Sequence, residues 1–218
     1  MFSDSEENYL KSIFHLQRLS EDGVSTNAIA DRMQTKASSV TDMLKKLADK
    51  DLVNYIKYQG VTLTNKGKKT AASIIRKHRL WEVFLVEKLD FNWDEVHEIA
   101  EQLEHIESEK LIEKLDKLLD YPKFDPHGDP IPTKDGAFPQ RNKILLSELK
   151  VGATGICIGV KETSSSFLKF LDKHGIALGK KISILEHEEY DDSRKIMVDE
   201  KTFSISHLIA SNLYIKPH

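Results

Sequence analysis

Three features of the sequence predict a mainly α-helical chain that begins with a winged helix-turn-helix and ends in short β-strands. Two short helical segments, 24–33 and 38–48, are separated by a break at 34–37. Residues 51–64 then alternate and turn at Gln59-Gly60, as the hairpin of a wing does. Short alternating segments between 154 and 215 form the third feature. A chain of 218 residues has room for two or three small domains.

The composition excludes several classes of protein. Hydrophobic residues make up 39% of the chain, which is enough for real cores, but no apolar run approaches transmembrane length. The first residues lack the basic and apolar regions of a signal peptide. A single cysteine, Cys157, excludes an intramolecular disulfide framework and a multi-cysteine zinc site, and its alternating segment favours a core position. We therefore expect a cytoplasmic protein with no membrane partner.

The net charge of −3 conceals a strong asymmetry along the chain. Residues 1–80 carry 14 Lys and Arg against 9 Asp and Glu, whereas residues 81–140 carry 6 against 16. Residues 141–218 are nearly balanced, with 12 against 10. A basic head followed by an acidic middle suggests a polyanion-binding module beside a cation-binding one, although solvated helices also have such charges.

The basic head contains the candidate DNA-binding residues. A first helix is predicted over 3–19, and the two helices of the helix-turn-helix follow it. In this motif the second helix enters the major groove with its N-terminus first. The candidates are Thr26, Lys36, Ser38, Ser39, Thr41, Asp42, Lys45 and, at the tip of the wing, Lys57. A small helical bundle without a ligand has a similar pattern, but the wing and the positive charge favour DNA.

The acidic middle contains candidate metal ligands. In a helix over Val96–His105, His97, Glu101, Glu104 and His105 share an arc of roughly 100°, opposite an apolar stripe. Carboxylate oxygens and imidazole nitrogens on one face suit a divalent ion of the manganese–iron–zinc series. A solvated acidic face is the alternative. The preceding helix, from 64 or 65 to about 89, carries His78 and Glu82 four residues apart, a spacing common to metal ligands and to surface pairs.

The middle of the chain ends in a further amphipathic helix and a proline-rich loop. Residues 108–119 place leucines and Ile112 on one face, which suits dimer packing or a core position. Residues 121–132 contain four prolines and must leave the helical conformation. The segment 133–142 is the predicted linker to the C-terminal strands.

Residues 1–132 resemble the diphtheria-toxin-repressor family of metal-dependent transcriptional repressors, including its manganese transport regulator branch. The supporting residues follow the family's order and spacing: Ser38-Ser-Val-Thr41, Leu63-Thr-Asn-Lys-Gly67, Lys77-His-Arg-Leu-Trp-Glu82, Val96-His97, Glu101, Glu104-His105 and Pro126-His-Gly-Asp-Pro-Ile-Pro132.

The resemblance implies three domains. Residues 1–72 would form the winged helix-turn-helix, residues 73–142 a helical metal-binding and dimerisation domain with the linker, and residues 143–218 an SH3-like (FeoA-like) β-barrel. The tail fits the last expectation through its short strands and a helix over 164–174. We expect this barrel domain to fold independently and to move relative to the dimer core.

The resemblance also implies two groups of metal ligands. One comprises Asn8, Glu101, Glu104 and His105, with Asn8 standing where the family usually has Asp or Met. In this chain Lys11 replaces a further glutamate of the manganese branch. The second group comprises His78, Glu82, His97 and, as the best candidate from the barrel, Glu162. Some manganese-sensing members also recruit the turn that here offers Asp125 and His127, a pair that could equally serve as a capped turn.

The function implied by the resemblance is a homodimeric, metal-activated repressor of metal-uptake genes. It would bind a pseudo-palindromic operator in double-stranded DNA, with Mn²⁺ favoured over Fe²⁺ as the activating ion. One alternative is a metal-independent winged-helix regulator whose barrel binds a partner protein. The other is a metallohydrolase that uses the His/Glu cluster, although the sequence shows no nucleophile–base pair, phosphate loop or nucleotide fingerprint.

Overall fold

The N-terminal part of the protein forms a winged helix-turn-helix. The computed structural model describes residues 2–18, 23–56 and 59–217, so Lys57 of the predicted wing tip lies outside the described residues. Three helices precede a two-stranded antiparallel hairpin: α1 (Asp4–Gln17), α2 (Thr26–Arg32), α3 (Ala37–Asp49), β1 (Val53–Ile56) and β2 (Gly60–Leu63). Ser3 and Ser25 cap α1 and α2 through their hydroxyls, whereas α3 begins after Lys36 without a side-chain cap.

The apolar stripes of the three helices form one core. Leu10 and Ile13 of α1, Ile29 of α2, and Leu44 and Leu47 of α3 are all fully buried. The three-residue spacing within α1 and within α3 fits the helical periodicity of the sequence. Because the stripe of α1 faces this core, the position of α1 and that of the helix-turn-helix are linked by packing.

The middle of the chain is built on one long helix. α4 (Asn65–Leu89) starts at the hydroxyl cap of Thr64 and contacts α1, α5 (Val96–Leu103) and α6 (Glu109–Leu118). The predicted helix over 96–105 ends two residues early, because Glu104 is the C-terminal cap of α5. Among the described residues, no helix has the length and apolar character needed to cross a membrane.

The C-terminal part is a six-stranded antiparallel sheet that does not close. The strand order is β3-β8-β4-β5-β6-β7, and the helix α7 (Ser165–Lys173) lies between β4 and β5 in the chain. The strands are β3 (Ile144–Leu145), β4 (Thr154–Val160), β5 (Lys181–His187), β6 (Arg194–Val198), β7 (Lys201–Ile205) and β8 (Leu213–Pro217). The fold agrees with the SH3-like expectation. β3, β7 and a short helix α8 (His207–Ala210) are additions to the predicted elements.

The sheet domain contacts the helical domain through polar side chains and through the ring of Trp93, which packs against the core of the sheet domain. The indole Nε1 of Trp93 donates to Asp172 of α7 at 3.0 Å. Asp94, just before α5, accepts from Ser165 and pairs with Lys169, both on α7, and does not cap α5. Independent movement of this domain stays a prediction, and these bonds would have to break to allow it.

Close backbone contact at the start of α4 leads to a stability prediction. A Cβ atom on Gly67 would lie 1.9 Å from the carbonyl oxygen of Leu52, so Gly67→Ala should force apart α4 and the segment that enters the wing. We expect a loss of about 1–3 kcal/mol in the free energy of unfolding, typical of overpacking, measured by urea denaturation. Lys68→Ala, at an exposed position on the same turn, is the control. Equal midpoints for the two variants would contradict this account.

Candidate metal centre and nucleic-acid interface

A buried carboxylate, Glu82, lies at the centre of the candidate metal site. His78 is one turn earlier on α4, and its Nε2 lies 3.0 Å from Glu82 Oε1. His97, near the start of α5, places Nδ1 3.3 Å from the same oxygen and 3.2 Å from His78 Nε2. One donor atom from each of the three residues lies within 4.8 Å of the others, as a common metal ion requires.

The loop after α6 brings two more donors to the other oxygen of Glu82. His127 Nδ1 lies 3.7 Å from Glu82 Oε2, and Glu82, Asp125 and His127 form a second group of donors within 4.8 Å. His127 Nε2 lies 2.8 Å from the carbonyl oxygen of Trp93. Donation of the outer imidazole N–H to a carbonyl is the usual way in which a metal-binding histidine is oriented.

Asp125 also performs the structural role that the sequence left open. Its Oδ1 accepts from the backbone N–H groups of His127 and Asp129, both at 2.9 Å. Its Oδ2 lies 3.3 Å from Arg79 Nε. Asp125 therefore caps the turn, and the same carboxylate is available to the second donor group.

Burial and hydrogen bonding shift the pKa values of these groups. Burial lowers the pKa of His78, but hydrogen bonds with Glu104 and Glu82 outweigh it and raise the value to about 9. The pKa of His127 is likewise lowered by burial but raised by Glu82, to a net value of about 9. Burial raises the pKa of Asp125 to about 7. Burial also opposes the ionised form of Glu82, yet the three histidines hold its pKa well below the usual range.

This arrangement fits a divalent metal ion. Two carboxylates and three imidazoles form a mixed oxygen and nitrogen set, which ions such as Mn²⁺, Fe²⁺ and Zn²⁺ accept. A cavity of about 680 Å³ reaches this set. Besides Glu82 and its histidines, the cavity is lined by groups from α1, from α2 and from the segment after β4.

The other predicted group of ligands surrounds an ammonium group. Lys11 Nζ lies 2.6 and 2.8 Å from the two oxygens of Glu104, and 3.3 Å from Glu101 Oε1. His105 Nδ1 lies 2.6 Å from Glu7 Oε2. The amide oxygen of Asn8 is buried and has no hydrogen-bond partner. The structure therefore brings the predicted residues near one another, but as arranged they do not leave an open cation position.

Glu162 lies near the cavity without joining either donor group. Its carboxylate accepts from the backbone N–H of Ser164 at 3.2 Å, while its neighbours Lys161 and Thr163 line the cavity. A role for Glu162 as a ligand stays a prediction.

Several residues of the site were missed by sequence reasoning. Glu7 and Trp93 had no recognisable signal, because their partners are distant in sequence. The sequence shows Lys11 only as the replacement for a glutamate of the manganese branch. Its pairing with Glu104 follows from the approach of α1 to the end of α5, which periodicity does not specify.

The predicted DNA-contacting residues lie together on the start of α3 and near it. Lys36, Ser38, Ser39, Asp42 and Lys45 are exposed. Thr41 and Thr26 are half-buried, and the Thr41 hydroxyl donates to the carbonyl oxygen of Ala37. Lys45 pairs weakly with Asp42 on the surface, at 3.3 Å. The surface is thus rich in hydroxyl and amine groups that can reach phosphates and bases.

Three family models match successive parts of the chain. They are "Iron dependent repressor, N-terminal DNA binding domain" over residues 1–61, "Iron dependent repressor, metal binding and dimerisation domain" over 64–133, and "FeoA domain" over 144–217.

Curated relatives and solved structures agree with these models. The iron-dependent repressor IdeR of Mycobacterium bovis is 33% identical over 159 residues, which are 69% of this chain and 68% of the relative. A solved manganese-dependent transcriptional repressor in complex with manganese is 34% identical, with a TM-score of 0.86 over 98% of this chain and 100% of that one. A chlamydial protein named as a probable metal transport system membrane protein is 36% identical over 140 residues, 62% of this chain but only 31% of the relative.

The raised histidine pKa values lead to a prediction about pH. At pH 7, His78 and His127 are protonated in the metal-free protein, since their pKa values are about 9. Metal ligation needs the neutral imidazole, so binding must release protons. The apparent affinity for Mn²⁺ should therefore rise between pH 6 and pH 9, by up to about tenfold per pH unit for each proton displaced. Calorimetry in buffers of different ionisation enthalpy measures both the affinity for Mn²⁺ and the number of protons released. A pH-independent affinity without proton release would contradict the prediction.

Proposed function

Because the chain belongs to the iron-dependent repressor family, we propose that it is a metal-activated, homodimeric transcriptional repressor of metal-uptake genes. Members of this family are repressors and not enzymes, so the metallohydrolase alternative is not supported. The observation that carries the proposal is the sharing of one buried carboxylate, Glu82, between two donor groups that come from different segments of the chain.

The ligands of the activating ion would be His78, Glu82, His97, Asp125 and His127. They come from α4, from α5 and from the loop after α6, so an ion held by them ties these three segments together. The ion supplies positive charge at a cluster of buried carboxylates. Glu162 is the proposed further ligand from the sheet domain.

We infer Mn²⁺ as the activating ion, ahead of Fe²⁺. The proposed ligands are oxygen and imidazole donors without a thiolate, which favours harder ions. The thiol of Cys157 is buried, and burial raises its pKa to about 11, so it offers no thiolate at neutral pH.

Metal binding would act on DNA binding through the packing of the helices. The Nδ1 of His78 lies 2.6 Å from Glu104, which is paired with Lys11 of α1. Since α1 packs on the helix-turn-helix, an ion that fixes His78 also favours one placement of the recognition helix. A coupling of about 1–3 kcal/mol would change DNA affinity about 5–150-fold.

The proposed DNA target is a pseudo-palindromic operator, and the proposed location of the protein is the cytoplasm. A homodimer places two recognition helices in successive major grooves, about one helical turn or a multiple of it apart. Leu111 and Leu118 of α6 are 41% and 58% exposed, which supports a partner protomer on this face.

The test of the metal centre is Glu82→Gln. The substitution keeps the shape of the side chain but removes the charge shared by the two donor groups. A binding sequence is first selected from random duplexes with Mn²⁺ present, and affinity is then measured by fluorescence anisotropy with and without Mn²⁺. We expect at least a tenfold loss of metal-stimulated affinity, and much less change without metal.

The matched control is Glu87→Gln, at an exposed position on the same helix. It should retain the full response to Mn²⁺. If Glu82→Gln also retains it, the sensor does not include Glu82. If the wild-type protein binds DNA equally well without metal, with Mn²⁺ and with Fe²⁺ under anaerobic conditions, the metal-independent alternative is correct.

The recognition helix is tested by Ser39→Glu. The new carboxylate would face phosphate or base edges from the exposed start of α3, so operator affinity should fall at least a hundredfold, by electrostatic repulsion. Ser166→Glu, at an exposed serine of α7, is the matched control. Size-exclusion chromatography and circular dichroism should show both variants folded and dimeric. Unchanged operator affinity for Ser39→Glu would remove α3 from the interface.

A further inference from the structure

We propose that the ammonium group of Lys11 takes the place of a second metal ion, and that it joins α1 to the end of α5 whether or not metal is bound elsewhere. The inference rests on the proposed function, because it concerns the number of metal ions that the repressor binds. It assigns to Lys11 the role of determining that number.

The geometry at Lys11 is that of a cation held by carboxylates. An ammonium group has three N–H donors. The Nζ atom lies 2.6 and 2.8 Å from the two oxygens of Glu104 and 3.3 Å from Glu101 Oε1, so there is one oxygen for each donor. The Lys11 side chain is only 14% exposed and that of Glu104 is fully buried, so the pair is largely shielded from water.

The charges of this group are already balanced. Glu104 is buried and contacts Lys11 on one side and His78 on the other. A buried carboxylate needs such partners, because burial of an unpaired charge is costly. A divalent ion beside Glu104 would therefore meet the positive charge of Lys11 a few ångströms away. The space beside Glu104 accommodates one cation, and that cation is the ammonium group of Lys11.

The surroundings of Lys11 show what its removal would expose. Asn8 lies one turn before Lys11 on α1, and its buried amide oxygen has no hydrogen-bond partner. Glu101, Glu104 and the imidazole of His105 lie on the other side. Among the described residues, Glu101, Glu104 and His105 do not form a group of donors within 4.8 Å as arranged, because the His105 imidazole contacts Glu7 at 2.6 Å. Without the ammonium group, a Mn²⁺ ion could draw these carboxylates, the imidazole and the Asn8 amide together as an oxygen-rich donor set.

Lys11 also connects α1, through side-chain contacts, to the candidate metal centre. The contact series Lys11–Glu104–His78–Glu82 runs from α1 to the candidate metal centre through distances of 2.6, 2.6 and 3.0 Å. Glu104 then acts as the carboxylate that orients His78, in the manner of the outer partner of a metal-binding histidine. An ion bound at Glu82 would then change the position of His78 within a contact series that already joins α1 to the candidate metal centre.

The experiment counts Mn²⁺ ions bound by the full-length protein. Free Mn²⁺ is measured by electron paramagnetic resonance during titration of the wild type, Lys11→Ala and Lys11→Ala/Asn8→Ala. We expect Lys11→Ala to bind one more Mn²⁺ per protomer than the wild type, and the double variant to bind that ion at least tenfold more weakly. Lys50→Ala is the matched control, since Lys50 also pairs with a glutamate of α1 at 2.6 Å, and it should leave the count unchanged.

Thermal unfolding gives a second measurement. In the presence of a chelator, Lys11→Ala should melt at a lower temperature than the wild type, because Glu104 has lost its cation. Mn²⁺ should raise the midpoint of Lys11→Ala by more than it raises that of the wild type. If Lys11→Ala does not fold without metal, Lys11→Gln is titrated in the same way, because its amide retains a donor without the charge.

The outcomes separate this inference from the proposed function. If the wild type and both Lys11 variants bind the same non-zero number of ions, Lys11 does not occupy a cation position and the inference is wrong, while the metal-activated repressor stands. If the wild type binds no Mn²⁺, Fe²⁺ or Zn²⁺, the proposed function fails. If only the Lys11 variants bind metal, the ammonium group is confirmed as the substitute and the sensor at Glu82 is contradicted.

Discussion

The architecture around the candidate site depends on two buried carboxylates, Glu82 and Glu104, and on the cations that neutralise them. An ionised carboxylate removed from water is stable only when positive charge and hydrogen-bond donors replace its hydration. His78 lies between the two and contacts both, at 3.0 and 2.6 Å. Around this centre, Glu82 meets two further histidines, and Glu104 meets Lys11. The need to neutralise the carboxylates of Glu82 and Glu104 therefore favours the observed placement of α1, α4, α5 and the loop after α6.

The segments that contribute to this cluster connect it with all three parts of the fold. Lys11 lies on α1, which packs in the winged helix-turn-helix core, and His78 and Glu82 lie on α4. His127 lies on the loop after α6, and its own carbonyl oxygen accepts from the backbone N–H of Val160 in the sheet domain at 2.9 Å. A change of charge at the cluster is therefore felt by all three parts. This is the physical basis of the link that we propose between metal binding and the recognition helix.

Much of the fold could be predicted because its elements have local signals. The stripes of α1, α3 and α4, the hydroxyl caps at Ser25 and Thr64, and the turn at Gly60 each reflect an interaction over a few residues. β7 was missed because most of its residues are exposed and its pairing with β6 defines it. The partners of Asp94 on α7 could not be predicted, because a capping residue and an ion-pairing residue look alike in sequence. The metal groups were predicted as residue types on shared faces, and their roles as ligands stay predictions.

The sequence by itself determined which side chains are available and on which helical faces they stand, because the helical repeat is a local property of the backbone. It placed His78 and Glu82 on one helical face, and the family resemblance put Lys11 where the manganese branch has a glutamate. Only the tertiary structure decided that this lysine lies between Glu101 and Glu104, about ninety residues away in the chain. It likewise decided that Glu82 serves two donor groups and that Trp93 holds His127 through its carbonyl oxygen. Such pairings depend on how helices approach one another, and the energy that selects them is the neutralisation of charges buried together.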